Sequence, residues 1–481
     1  MTSSRPTRGR GTPQPDPSPL PDRKDLIARM TVLLYTLGVL IFFTAILASI
    51  GLHELGHMIP AKKFGGKVTQ YFIGFGPTVW SKQVGETEYG VKAIPLGGYV
   101  KIVGMLPPAA ADLADEVEVD ADGNEVFKVR KSNTGMFTQL ISDARAAEWE
   151  LVGPEDHDRL FYRFPWWKKV IVMAGGPSVN IVIAFLIFAG VFATYGNGSD
   201  NVVETTVDEV HACVVPPSED GRACTAEEVQ TSPTPAYAAG IQKGDRIVSF
   251  NGARVTDWDQ MQGLVRANKG DKATIVIERD GVEQTITTNT TVTPRFLKSG
   301  DTETQEVGFL GVSPESHART GGVFYTIGQM GHMTVDVAKS LATLPEKVWG
   351  VAKAIVGVEE RDPLGPVSIV GGGRLAGEVA SHDEINVQDK TVSLLMLIAG
   401  FNFFIGMFNF VPLLPLDGGH IASALWEGIR RGWAKVFGRP DPGYVDAAKL
   451  LPIAYVVASA LLVMGVVLIV GDLVVPLHLE S

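Results

Sequence analysis

The sequence predicts a polytopic α-helical membrane protein with about four transmembrane helices, a membrane-associated β-hairpin region and an inserted soluble α+β domain. Four apolar runs, beginning near Met30, Val170, Val392 and Leu451, are each long enough for a bilayer core, which takes about 20 helical residues. Between the second and third runs, from Asp200 to about Pro314, the chain turns soluble. A length of 481 residues with 45% hydrophobic and 20% charged side chains fits such a mixture of spans and modules.

Residues 1–29, rich in Pro, Ser, Thr and Arg at their start, are expected to be a disordered tail. No small-residue cleavage site follows the first apolar run, so the span is expected to be retained. That span, residues 30–60, ends in His53-Glu54-Leu55-Gly56-His57. If the run continues as a helix, His53 and His57 share one face and offer two imidazoles to one zinc ion, with Glu54 beside them as general base. Short His-Glu-x-x-His patterns also arise by chance. Ionisable groups at the end of a span are costly unless they bind something or face a wet cavity, and that favours a site. The pair lacks a third ligand.

Residues 61–105 alternate β-prone runs with Gly and Pro and read as hairpins. They form either an ordinary sheet on the membrane surface or one against the site, whose free edge holds a substrate as an added strand. Residues 106–165 are acidic and Ala-rich, as expected of a solvated cytoplasmic insert. Pro165-Trp166-Trp167-Lys168-Lys169 is an interfacial belt ahead of the second span, residues 166–196. Within it Gly175-Gly176-Pro177 should kink the helix, and Asn180 places one amide at depth for helix packing or site lining. Cys213 and Cys224 are the two cysteines; their spacing matches no zinc knuckle, leaving a disulfide or two ordinary thiols.

Residues 315–390 contain an amphipathic helix, Thr334 to Val356, and a connecting region. The third span, residues 391–420, ends in Asn409-Phe410-Val411-Pro412-Leu413-Leu414-Pro415-Leu416-Asp417-Gly418-Gly419-His420. Leu-Asp-Gly alone reads as a turn. Beside two histidines, Asp417 is the group that completes a two-His, one-carboxylate zinc site. A basic cytoplasmic loop (421–450), a fourth span (451–475) and a short tail (476–481) follow.

The net charge of −11, with no sustained basic patch, argues against a nucleic-acid partner. Lys168 and Lys169 before the second span, and Arg430, Arg431, Lys435, Arg439 and Lys449 between the third and fourth, assign those loops to the cytoplasm. Both termini and the inserted domain then fall outside. The arginines of the amino-terminal tail oppose this, but siding with them would break the alternation of the other spans.

The stretch Ala239-Gly240-Ile241, Gly244-Asp245-Arg246-Ile247 and Asn251-Gly252, followed by Thr274 to Gly281, resembles a PDZ domain of the bacterial protease type over about residues 202–314. PDZ folds bind extended peptides, but size exclusion of untrimmed substrates is the expectation here, with binding in a groove between the Thr274 to Ile277 region and an Asp257 to Ala267 helix secondary or absent, and Val307 to Val312 as a closing strand. Together with His53 to His57, Gly176-Pro177 with Asn180, and Asn409 through Pro412 to Asp417-Gly418, the chain resembles the site-2 proteases. The single PDZ domain and the paired cysteines are most similar to the actinobacterial branch of the bacterial sigma-factor regulators.

That resemblance implies an intramembrane zinc metalloprotease with Zn2+ held by His53, His57 and Asp417. Glu54 would be the base, Asn409 a hydrogen-bond donor to substrate or oxyanion, and His420 a neighbour behind the ligands. It implies single-pass membrane substrates, anti-sigma factors already trimmed by another protease, in contact with membrane lipid. For Asn409 the residues alone equally allow a helix-packing amide. A non-enzymatic PDZ receptor and a membrane-tethered zincin acting on soluble proteins are the alternatives.

Overall fold

The computed structural model describes residues 23–107, 152–216, 222–296 and 303–478, with residues 117–119, 125–127, 141, 143–145 and 149 between them. Most of the expected tail and most of the acidic insert lie outside the described residues. The chain divides into two compact units, residues 1–190 with 324–481, and residues 191–323.

The first unit opens with α1 (Arg23–Lys63), which begins seven residues before the apolar run because Arg23 to Arg29 contains nothing that stops a helix. Strands β1 (Val68–Val84) and β2 (Thr87–Ile102) then form a bulged antiparallel hairpin. Each strand folds across the other twice: Tyr71 to Ile73 pairs both with Gly98 to Val100 and with Tyr89 to Val91. The inner end of the hairpin packs Val68 and Ile102 against Met58 and Ala61 of α1. A short pair, β3 (Val117–Val119) and β4 (Glu125–Phe127), lies in the insert.

The last part of that insert departs from the solvated expectation. Phe161 and Phe164 are buried in the α1–hairpin core, and the Phe161 and Tyr162 N–H groups donate to Val103 and Gly104 at 3.0 and 2.8 Å. An apolar Leu-Phe-Tyr-x-Phe run outweighs the acidic composition before it. Helix α2 (Trp166–Thr194) runs as one helix through Gly175-Gly176-Pro177.

The second unit begins with β5 (Asn197–Val210), followed by short helices α3 (Ala226–Thr231) and α4 (Pro235–Ala238). Strands β6 (Arg246–Phe250) and β7 (Ala253–Arg254) precede α5 (Trp258–Asn268). Then come β8 (Lys272–Arg279), β9 (Val282–Asn289), β10 (Thr291–Arg295), β11 (Gln305–Phe309) and β12 (Val312–Arg319). The main sheet has the order β12–β5–β6–β8–β9 with β7 on β6, and β10 pairs with β11. Its core gathers Val207, Ile247, Phe250, Met261, Ile275 and Ile277. Cys213 and Cys224 are joined as a disulfide.

A cavity of about 800 Å³ in this unit is lined by α5, the disulfide loop and residues 307–314. The groove expected at Thr274 to Ile277 is therefore misplaced. Strand β8 has both edges paired, to β6 and β9, and its Ile275 and Ile277 are fully buried, so it has no edge to offer.

The chain returns to the first unit with α6 (Val323–Ile355), longer than the expected amphipathic segment, and α7 (Ile369–Ser381). The glycine-rich run of α7 gives no helical signal in the sequence. It is helical because small residues let it press on α1, where a Cβ at Gly38 would lie 2.4 Å from the Ala376 carbonyl oxygen. Helix α8 (Val387–Asn409) stops before Pro412, whose missing N–H cannot continue it. Asp417 is thus not at the end of the third span. It opens a separate helix, α9 (Asp417–Val436), where a basic loop was expected, and α10 (Leu451–Val474) closes the chain.

Among the described residues four helices are long and apolar enough to cross a membrane, at Ile27–Lys63, Trp166–Thr194, Val387–Asn409 and Ala447–Val474. Their outer faces leave large side chains uncovered, such as Val182, Leu186, Val456 and Leu462, as a bilayer solvent allows.

Candidate active site

Helix α1 carries His53, Glu54 and His57 on consecutive turns, and the α8–α9 connection brings Asp417 to them. His53 Nε2 and His57 Nε2 are 3.2 Å apart, and each is 3.3 Å from Asp417 Oδ2. Three ligands on a tetrahedral zinc with bonds of about 2.0–2.1 Å stand about 3.4 Å from one another, so this triangle of donors fits the ion.

The tautomers agree. His57 Nδ1 lies 2.8 Å from the Val172 carbonyl oxygen, which can only accept, so Nδ1 carries the proton and Nε2 keeps its lone pair. His53 Nδ1 lies 2.8 Å from Asn180 Oδ1 in the same arrangement. The amide orientation of Asn180 follows from its Nδ2, which donates to Ser49 Oγ at 3.2 Å. Ser49 Oγ donates to Asn402 Oδ1, and Asn402 Nδ2 donates to the Ile398 carbonyl at 2.9 Å. Asn180 and Asn402 are wholly buried, so a polar network across α1, α2 and α8 ends on one imidazole.

Two glycines make room. A Cβ at Gly175 would lie 2.0 Å from the Gly56 carbonyl oxygen, and one at Gly176 would lie 2.2 Å from His57 Nε2 and 2.7 Å from His53 Nε2. Helix α2 therefore meets α1 at backbone contact just where the imidazoles converge.

Glu54 faces the hairpin. Gly98 leaves the space into which its Cγ fits, since a Cβ at Gly98 would lie only 3.0 Å from that carbon. Asp417 sits in the first turn of α9, where the helix dipole favours an anion. Burial lowers the His420 imidazole, one turn further on.

The model of peptidase family M50 matches residues 41–438. This chain belongs to peptidase family M50. It is 34% identical to the zinc metalloprotease Rip1 of Mycobacterium tuberculosis, over 93% of this chain and 100% of the relative. It is 33% identical to Rip1 of Mycolicibacterium smegmatis over the same shares, and 27% identical to the zinc metalloprotease RasP of Bacillus licheniformis over 82% of this chain and 88% of that one. The M50 chain, of the site-2 protease family, is thus a zinc metalloprotease.

Sequence reasoning assembled the donor set of this M50 peptidase but missed what holds it. Asn180 was visible as an amide in an apolar run, yet its role as the partner of His53 depends on helix pairing. Asn402 and Ser49 gave the same signal, polar groups within spans, and were passed over. Asn409 is not brought to the donors by its described bonds: its Nδ2 donates at 3.2 Å to the Ile405 carbonyl, one turn back in its own helix.

Proposed function

We propose that this M50 peptidase hydrolyses a peptide bond within or near the transmembrane segment of single-pass membrane proteins, with His53, His57 and Asp417 as zinc ligands and Glu54 as proton carrier. The observation that carries the proposal is the meeting of Glu54 with β2. Residues Gly98 to Ile102 pair with β1 on one side, no other described strand takes their second edge, and Gly98 lies against the Glu54 side chain. An unwound substrate segment adding there as a strand would run past the carboxylate and the donor triangle.

Zinc held by the three donors supplies Lewis acidity toward the scissile carbonyl and the attacking water. Glu54 takes the proton of that water and delivers it to the leaving amine. Asn180 and the Val172 carbonyl keep both imidazoles in the metal-binding tautomer and cannot themselves exchange protons with the substrate. Asn409 is assigned to the substrate or the oxyanion only by the family likeness; its amide must leave Ile405 to serve.

The substrates we infer are anti-sigma factors already trimmed by another protease, in regulated intramembrane proteolysis. The second unit is read as a PDZ domain on the extracytoplasmic side, consistent with lysines and arginines on the opposite loops. Its cavity lies beside α5 and the Leu310-Gly311-Val312 turn, and the disulfide at its rim suits an oxidising compartment.

The test is capture and cleavage in one system. Full-length Glu54→Gln protein in proteoliposomes should retain a trimmed membrane substrate uncut, and wild type should cut it within its span. Capture of uncleaved soluble proteins alone would favour a tethered zincin instead. Deleting residues 202–312 should let untrimmed substrates be cut if the domain filters by size; lost cleavage of trimmed ones in a folded, zinc-loaded protein would make it a receptor.

A further inference from the structure

Helix α9 is inside out for a helix on a watery surface. Toward the protein it turns Glu427, 1% exposed, which accepts from Lys169 Nζ at 2.7 Å and lies 3.2 Å from Arg431 Nη2. Away from the protein it turns Leu425, Trp426, Ile429, Trp433, Val436 and Phe437, which are between 43% and 78% exposed. At 100° per residue these six fall within an arc of about 120°. A soluble surface seldom leaves so continuous an apolar stripe uncovered.

What covers it follows from where α9 sits. Gly428 packs so closely on α2 that a Cβ there would lie 2.6 Å from the Trp166 ring, which fixes α9 at the level where that span begins. Trp166 and Trp167 are themselves exposed, and the Trp433 and Phe437 ring centroids lie 4.6 Å apart with their planes tilted by 34°. Tryptophans collect at the boundary between acyl chains and headgroups, so the stripe continues an aromatic belt. Charge then selects the headgroup. Arg430 borders the stripe, and Lys435 and Arg439 are exposed at its end, in a chain whose net charge is −11. The nearby acids are already engaged, Asp446 with Arg145 at 2.6 Å and Asp441 with Arg431 at 3.6 Å.

We propose that α9 and the turn after it form a binding surface for anionic phospholipid. Acyl chains lie under the Trp426–Trp433 stripe, and lipid phosphates meet Arg430, Lys435 and Arg439. Such cations near an anionic leaflet each contribute about a fivefold preference. Because α9 begins at Asp417, a lipid that seats the helix also steadies the carboxylate of the donor triangle. The proposal stands apart from the substrate reading, and its failure would leave that reading untouched.

The experiment uses full-length protein in vesicles of phosphatidylcholine and phosphatidylglycerol in equal parts, with one or the other brominated. The emission lost on Trp433→Phe isolates the probe. It should be quenched several-fold more by brominated phosphatidylglycerol than by brominated phosphatidylcholine, and Arg430→Gln with Lys435→Gln and Arg439→Gln should equalise the two while zinc content and melting stay as in wild type. Arg430 Nη2 also donates to the Pro442 carbonyl at 3.2 Å; should the triple variant unfold, Lys435→Gln with Arg439→Gln serves, since neither side chain makes a described hydrogen bond. Equal quenching by both lipids in wild type would overturn the headgroup selection. Quenching by aqueous iodide alone, or by nothing, would overturn the lipid surface itself.

Discussion

Replacing Gly176 by alanine should empty the zinc site while leaving the fold in place. The added carbon would lie 2.2 and 2.7 Å from the two Nε2 atoms, distances at or near those of a metal bond rather than of a contact. Retreat of α2 would give up the backbone contact between Gly175 and Gly56. The imidazoles must therefore turn, and turning breaks their Nδ1 bonds to Asn180 and Val172. Loss of one such supporting partner weakens metal binding about 10–100-fold. With both disturbed and the space filled, zinc affinity should fall at least about 100-fold, or about 2.7 kcal/mol. Overpacking should cost a further ~1–3 kcal/mol of stability. Gly190, on the same helix, where an added Cβ would meet no atom within 4 Å, supplies the control: Gly190→Ala should bind zinc as wild type does. Metal content and chelator competition on protein purified in detergent read the effect, with melting of the metal-free forms as the check on folding. Full zinc stoichiometry and unchanged competition in Gly176→Ala would refute the convergence of the imidazoles at that glycine.

Glu54→Gln should keep zinc and lose cleavage, whereas His57→Ala or Asp417→Ala should lose both; an active Asp417→Ala would remove it from the donor set. Asn180→Ala should weaken zinc about 10–100-fold with cleavage restored at high zinc, and unaltered chelator competition would show that His53 needs no partner. Lys169→Met should destabilise the protein, by less than the about 3–5 kcal/mol of a wholly unpaired buried charge because Arg431 stays beside Glu427, while Lys169→Met with Glu427→Gln should melt above the single variant; additive losses would mean the pair is not coupled. Labelling of a cysteine at residue 120 from outside intact cells would overturn the assignment of the insert to the cytoplasm, which predicts labelling only after permeabilisation.

The grouping of His53, His57 and Asp417 was legible because it resides in residue types at fixed spacing. His53 and His57 come four apart on any helix, and a carboxylate closing a two-histidine set is a short inference once the spans are counted. What escaped was whatever depends on close approach between helices. Gly176 is read from sequence as part of a helix kink, but what the structure uses is its missing Cβ. The α7 run Gly371-Gly372-Gly373 opposes helix by propensity, and packing against α1 overrides it. The α9 error was of another kind. Counting its arginines and lysines gave a loop, although Leu425, Trp426, Ile429 and Trp433 already recur at helical spacing.

That third helix bears on how the site is held. Two of the proposed ligands share the rigid frame of α1, but the third begins an element joined to its span by a proline-broken connection, so chain continuity alone cannot fix the donor triangle. Position must come from the far side of α9, where Glu427 is clasped by Lys169 and Arg431 and the Val445 N–H approaches at 3.4 Å. Lys169 lies one turn before Val172, whose carbonyl orients His57. One buried ion pair thus links the helix that brings the carboxylate to the helix that sets an imidazole. A charge pair that is costly to bury is therefore placed where it fixes registration between two ligand-bearing parts, the use of buried ionic groups that is best attested.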